Sequence, residues 1–160
     1  MLRLWQFSLA YYAVPGVPRA CLWLQDHCGV DVNLLMFSAW AGYGCGVVTG
    51  RQDLAHAETL VRDWRAGVVE PLRAARRALK GESLARFHAE SPSLRLRVKD
   101  LELQAERLEQ EHLERFLLAR TEIREPSVEL ASNNLAEFLA PADGAAEAHL
   151  YQLQTALRAL

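Results

Sequence analysis

"CLWLQDHCGVDVNLLMFSAW", residues 21–40, sets two apolar blocks on either side of a polar hinge, and the reading of that hinge decides the fold. Glycine reaches the left-handed conformation at no steric cost, so Gly29 is placed to end one helix. Asp31 can then accept the amide of Asn33 or Leu34 and start the next. The stretch therefore reads as helix, corner, helix. The second block, "VNLLMFSAWAGYG", is apolar almost all round, which places its helix at the centre of the fold.

Upstream, Leu2, Trp5, Leu9 and Tyr12 recur at helical spacing until Pro15 and Gly16 interrupt them. Pro18 suits the first turn of the helix that carries Cys21, Leu24 and Cys28 on one face. Downstream, "GYGCGVVTG" is glycine-rich but lacks the Lys-Ser/Thr ending of a phosphate loop and follows a helix, which argues against nucleotide binding.

From Gln52 a long amphipathic pattern begins: Leu54, Ala57, Val61, Trp64, Val68, Leu72, Ala75 and Leu79. Pro71 interrupts the backbone bonding but not the period, so one helix kinked near Gly67 is expected. A connection through "GESLARFHAESPS" leads to a second long helix with the stripe Leu94, Val98, Leu101, Ala105, Leu108, His112, Phe116 and Ala119. Two such helices on a short connection predict an antiparallel hairpin with coiled-coil-like packing. Two shorter helices follow "REPS". The expectation is one all-α domain over residues 1–160. It comprises a three-helix cluster (1–50), a long kinked hairpin (52–122) and two C-terminal helices packing back (126–160).

Composition narrows the function classes. The 160 residues are 51% apolar with a net charge of −2, so nothing global calls for nucleic acid or an anionic membrane. Three cysteines suit a reducing cytoplasm rather than a disulfide scaffold. The apolar N-terminus lacks the features of a signal peptide, and no run is long enough to span a bilayer.

Charge is unevenly spread: net 0 over residues 1–50, +4 over 51–100 and −6 over 101–160. With the hairpin bent near Phe87, position 73 lies opposite 101. The distal end then gathers Arg73, Arg76, Arg77, Lys80, Arg86, Arg95, Arg97 and Lys99 against Glu82 and Glu90. Arg73, Arg76, Arg77 and Lys80 share one helical face. Glu102, Glu106, Glu109, Glu111 and Glu114 fall at the other end, where Arg62 and Arg65 can pair with them. The functional reading is a basic tip that docks on a polyanion, such as ribosomal RNA or an acidic protein. The bland reading is a solvated charged face. Without an aromatic platform beyond Phe87, base-specific reading, of DNA included, is not expected.

The hinge offers less chemistry than its composition suggests. Cys21 and Cys28 stand two turns apart, about 10 Å, too far for a shared ion or a disulfide. No metal or cofactor is expected. Cys28 reads as a small core residue and His27 as a helix-end cation, so no nucleophile–base pair emerges. Gln25, Asp26, Asp31 and Asn33 form either a structural tie or a polar pocket walled by Trp40.

Leu24, Gln25, Asp26, Gly29, Asp31, Val32 and Asn33, with "LWQFSLAYYAVPGV" and "VVEPLRAARRALK", resemble a family of short proteobacterial proteins catalogued as a domain of unknown function. The resemblance covers about the first half of the chain and brings no catalytic residues. The expectation is a non-enzymatic module with a protein or ribonucleoprotein partner. The rival readings are a small-ligand binder or enzyme at the Gln25–Asn33 corner, and a homodimeric adaptor using the apolar seam of the hairpin.

Overall fold

The computed structural model describes residues 2–81, 91–119, 123–140 and 144–160, and every regular element among them is helical. Helix α1 (Leu4–Tyr12) ends before Pro15 and Gly16, and α2 (Val17–Cys28) has Pro18 in its first turn. Gly29, at φ 65°, closes α2. Asp31 then starts α3 (Val32–Cys45), its Oδ1 accepting the Leu34 amide at 2.9 Å. The hinge is a stop and a start, as its residues imply.

Helix α3 is the axis of the core. Leu34, Leu35, Met36, Phe37, Ala39, Trp40 and Ala41 are all buried, so α3 has no solvent side over those turns. Helix α7 (Val128–Leu139), capped by the Ser127 hydroxyl, lies directly against it. Gly42 permits the approach, since a Cβ there would stand 2.4 Å from the Ala131 backbone nitrogen. Asn134, 1% exposed, fastens the pair. Its amide donates to the Ser38 and Val47 carbonyls at 3.1 and 2.8 Å, and its oxygen accepts the Thr49 amide at 3.1 Å. Helix α8 (Glu147–Leu157) packs on α2 and α7, and the buried Tyr11 hydroxyl donates to the Leu153 carbonyl at 2.6 Å.

The hairpin begins with α4 (Arg51–Trp64) and continues through a π-helical turn, Arg65–Val69, into α5 (Glu70–Ala78). The wider turn accounts for Pro71. Proline cannot donate the usual bond back to Gly67, and the bond from the Glu70 amide to the Arg65 carbonyl, five residues back, carries the chain through. Helix α6 (Ser91–Leu118) runs antiparallel alongside. Arg73 reaches Glu102 at 3.3 Å and Glu106 at 2.7 Å, one and five residues beyond the position expected opposite it. The hairpin does not project from the cluster along its base: α6 packs on α1 and α3, and the Leu4 amide donates to Glu114 at 2.9 Å.

Two helices turn a different face inward from the one their apolar spacing indicates. In α1 the buried residues are Leu4, Phe7, Ser8 and Tyr11, whereas Leu2, Leu9 and Tyr12 are exposed. In α6 the buried face carries Glu102, Ala105, Glu109, Gln110, Leu113, Glu114 and Leu117. Leu94, Leu101 and Leu108 of the expected stripe are about half exposed instead. The buried face of α6 is rotated by roughly 100° from that stripe. Both helices carry two apolar rows, and period alone cannot choose between them.

Candidate functional site

The corner between α2 and α3 separates the residues that its sequence groups together. Asp31 is part of the fold: besides capping α3, its Oδ2 accepts from Arg65 Nη1 at 2.8 Å. Arg65 also clamps Glu58 with both terminal nitrogens, and this bonding holds the Glu58 carboxyl below its ordinary range. Asp26 is exposed, with Arg77 3.7 Å away. Trp40 does not wall the corner. It is fully buried in α3, and its indole donates to the Leu2 carbonyl at 2.7 Å.

Gln25 and Asn33 belong to a different assembly. The Ser8 hydroxyl of α1 donates to Gln110 Oε1 at 2.9 Å, and Gln110 Nε2 donates to Asn33 Oδ1 at 2.8 Å. This relay joins α1, α6 and α3 and satisfies polar groups that would otherwise be buried alone. It floors a cavity of about 330 Å³ between α1, α2, α5 and α6, into which Gln25 also faces. Trp5, Leu9 and Tyr12 of α1, Leu22 of α2 and Leu103 of α6 form its apolar lips. Trp5, Leu9 and Tyr12 belong to the outward apolar row of α1, whereas the exposed row Leu94, Leu101 and Leu108 of α6 does not line the cavity. Arg77 and Lys99 stand at the rim of the same cavity, with Glu102 and Glu106 beneath Arg73 and Arg76.

The basic residues fall into two groups. Arg73 reaches Glu102 and, at 2.7 Å, Glu106; Arg76 binds Glu102 through two nitrogens. Burial pushes the Glu102 carboxyl up, but the two guanidiniums outweigh it and leave it below its ordinary range. Glu106, more strongly desolvated, stays above its own despite Arg73. Glu102 and Glu106 of α6 thus serve Arg73 and Arg76, Glu111 and Glu114 pair with Arg107, Arg115 and Arg3, and Arg62 and Arg65 take Glu58 and Asp31. Lys80, Arg95, Arg97 and Lys99 have no carboxylate within 4 Å among the described residues. Glu82, Arg86, Phe87 and Glu90 lie outside the described residues.

Glu109 is the outlier. It is 1% exposed, and neither oxygen has a hydrogen-bond partner. Burial, reinforced by Asp31, pushes its carboxyl up to about 8 against the opposing charge of Arg65.

The two buried thiols are not poised for attack. Burial pushes Cys21 up to about 12 and Cys45 up to about 11. Cys28, expected in the core, is exposed at the end of α2 and free. His27 stacks on Trp23 with ring centroids 4.6 Å apart. Among the described residues no three metal-ligating side chains come together, and no helix is long and apolar enough to cross a membrane.

A family model described as "Protein of unknown function (DUF2390)" matches residues 3–113. The chain belongs to this family. No curated protein and no solved structure matches it. The family region reaches well beyond the first half of the chain and contains every residue lining the cavity, from Trp5 to Gln110. Helices α7 and α8 lie outside it.

Ser8, Gln110, Glu102 and Glu106 complete a site for which the sequence supplied Gln25, Asn33, Arg73, Arg76, Arg77 and Lys99 as candidates. Gln110 carried one usable signal, an uncharged polar residue among the glutamates of α6. Ser8 carried none, because a serine between apolar residues is unremarkable in a helix.

Proposed function

We propose that this protein is a binding module, not a catalyst, and that the cavity between α1, α2, α5 and α6 takes a small amphipathic anion. The observation that supports this reading is the polarity of the cavity. Trp5, Leu9, Tyr12 and Leu22 offer an apolar surface, and Arg77 and Lys99 stand at the rim. Among the described residues the only carboxylate within 4 Å of Arg77 is that of Asp26, at 3.7 Å with both side chains half exposed, a contact too weak to compete with a desolvated anion. The volume lies at the lower end of small-molecule sites. The lining includes neither histidine nor cysteine, and the Ser8 hydroxyl is spent on Gln110, so no activated nucleophile faces the cavity.

The test is calorimetric titration with a medium-chain carboxylate and with its neutral methyl ester. Binding of the acid, weakened at least tenfold by Arg77→Glu with Lys99→Glu and by Leu9→Asp, supports the reading. Equal binding of acid and ester, or no binding of either, overturns it.

A second reading, docking of a polyanion on the distal end of the hairpin, draws on Lys80, Arg95, Arg97 and Lys99, which lack internal carboxylate partners among the described residues. Arg73 and Arg76 contribute little to it, because their charge is already matched by Glu102 and Glu106. RNA retained at low salt and released by reversal of Lys80, Arg95 and Lys99 supports it; retention by the reversed variant counts against it.

A further inference from the structure

The leucines that α6 leaves in solvent have a regularity of their own. Leu94, Leu101 and Leu108 are spaced seven apart and are 49%, 51% and 47% exposed. Spacing of seven keeps them on one line along the helix. On one flank this line borders α4, where Trp64 donates its indole N–H to the Ala105 carbonyl at 3.0 Å and Leu60 lies one turn earlier. Both are also exposed, at 38% and 44%. The other flank is a second row spaced by seven, Arg97, Gln104 and Glu111.

We infer that this seam is the contact of a reversible homodimer in which two α6 helices pack antiparallel about a two-fold axis at Gln104. The charge order specifies the geometry. Around an axis at Gln104, Arg97 of one copy meets Glu111 of the other, seven residues away on either side, and the reverse pair forms by symmetry. Gln104 meets its own copy, and Leu101 packs beside Leu108 of the second copy. Asp100 falls beside Arg107 in the same register. A parallel pairing would instead press the Arg97–Glu111 row onto Leu60 and Trp64, burying charge against apolar surface.

Arg97 has no carboxylate partner among the described residues, so it is available for this contact. Glu111 holds Arg107 at 3.2 Å and Arg115 at 3.9 Å on its own helix, and its side chain keeps a quarter of its surface. The seam from Leu94 to Glu114 is about 30 Å long. Two such surfaces bury on the order of 1,000 Å² in total, the low end for a specific interface, so a concentration-dependent dimer is the expected state. The seam lies on the flank of α6 away from Leu103 and Lys99, which leaves the cavity open in both copies and makes this inference independent of the ligand reading.

Sedimentation equilibrium of the full chain over a wide concentration range tests it. The mass should rise from 18.0 kDa toward twice that value. Arg97→Glu and Glu111→Arg should each weaken the dimer at least tenfold, and the two together should restore it. Leu101→Asp with Leu108→Asp should hold the chain at the monomer mass with its helical circular dichroism intact. In a Cys28→Ser background, Gln104→Cys should cross-link efficiently with a short bis-maleimide, and Leu94→Cys should not. A constant monomer mass at all concentrations, a dimer indifferent to charge reversal, or cross-linking at Leu94→Cys in place of Gln104→Cys would each overturn the assignment.

Discussion

Among the described helices α3 and α6 carry the most buried residues, and they bury them for opposite reasons. Helix α3 has apolar side chains on every face, and its neighbours α1 and α7 complete an ordinary close-packed core. Helix α6 has leucines on its outer flanks and puts Glu102, Glu106 and Glu109 between them, facing α5 and α3. The first interface gains from removing apolar surface from water. The second holds because guanidiniums neutralise two of the three acids, and it stays under electrostatic stress at the third.

This contrast can be broken at its ends. Trp40→Ala removes the largest fully buried side chain and the bond to Leu2, and urea unfolding should register a loss of about 4 kcal/mol. Arg73→Ala strands Glu106 and leaves Glu102 with Arg76 alone at a mostly buried interface; a loss of about 3 kcal/mol is expected, larger than that from Arg77→Ala on the surface. Stability of the Arg73→Ala chain within 0.5 kcal/mol, by the magnitude usual for surface changes, would mean that the hairpin is not held by its ion pairs.

Glu109→Gln should move stability in the other direction. An unfolded Glu109 titrates near its ordinary 4.5, and the folded one near 8. Between those values the unfolded chain loses the proton that the folded chain keeps, so stability is fully present below 4.5 and falls as pH rises toward 8. Glutamine removes that loss. Thermal melts should show little change at pH 4.5 and a gain at pH 8 of at most about 4 kcal/mol. Glu58 and Glu102, held low by arginines, work with the opposite sign, and their contribution disappears as pH falls through their depressed range below 4.5. The wild-type melting temperature should therefore peak in mild acid, and a variant curve parallel to it at every pH would contradict the account.

The smallest effect belongs to the outer row. Leu101→Ala in the monomer should cost about 0.5 kcal/mol or less, because half of the side chain is already in water. A chemical denaturation curve at low protein concentration measures it. A much larger loss would show that α6 is turned differently from its position here.

Much of this architecture was legible beforehand for identifiable reasons. Pro15, Gly16, Gly29 and Asp31 mark helix ends by backbone conformation and local bonding, which need no knowledge of the rest of the chain. The continuity of α4 through Pro71 was legible because the apolar period does not shift there. The inward faces of α1 and α6 were not. Leu9 and Tyr12 are as apolar as Phe7 and Tyr11, and Leu101 is more apolar than Glu102, so hydropathy favours rows that the molecule leaves outside.

What the amino-acid order determined by itself is the all-helical class, the places where helices stop and the burial of α3. Each depends on neighbours a few positions away or on a period carried within one helix. The rotation of α1 and α6, the commitment of Arg73 and Arg76 to Glu102 and Glu106, and the Ser8–Gln110–Asn33 floor of the cavity were decided only by tertiary structure. A buried acid is acceptable only opposite a specific arginine, and a buried amide only opposite a specific partner. Those partners lie between 26 and 102 residues apart along the chain.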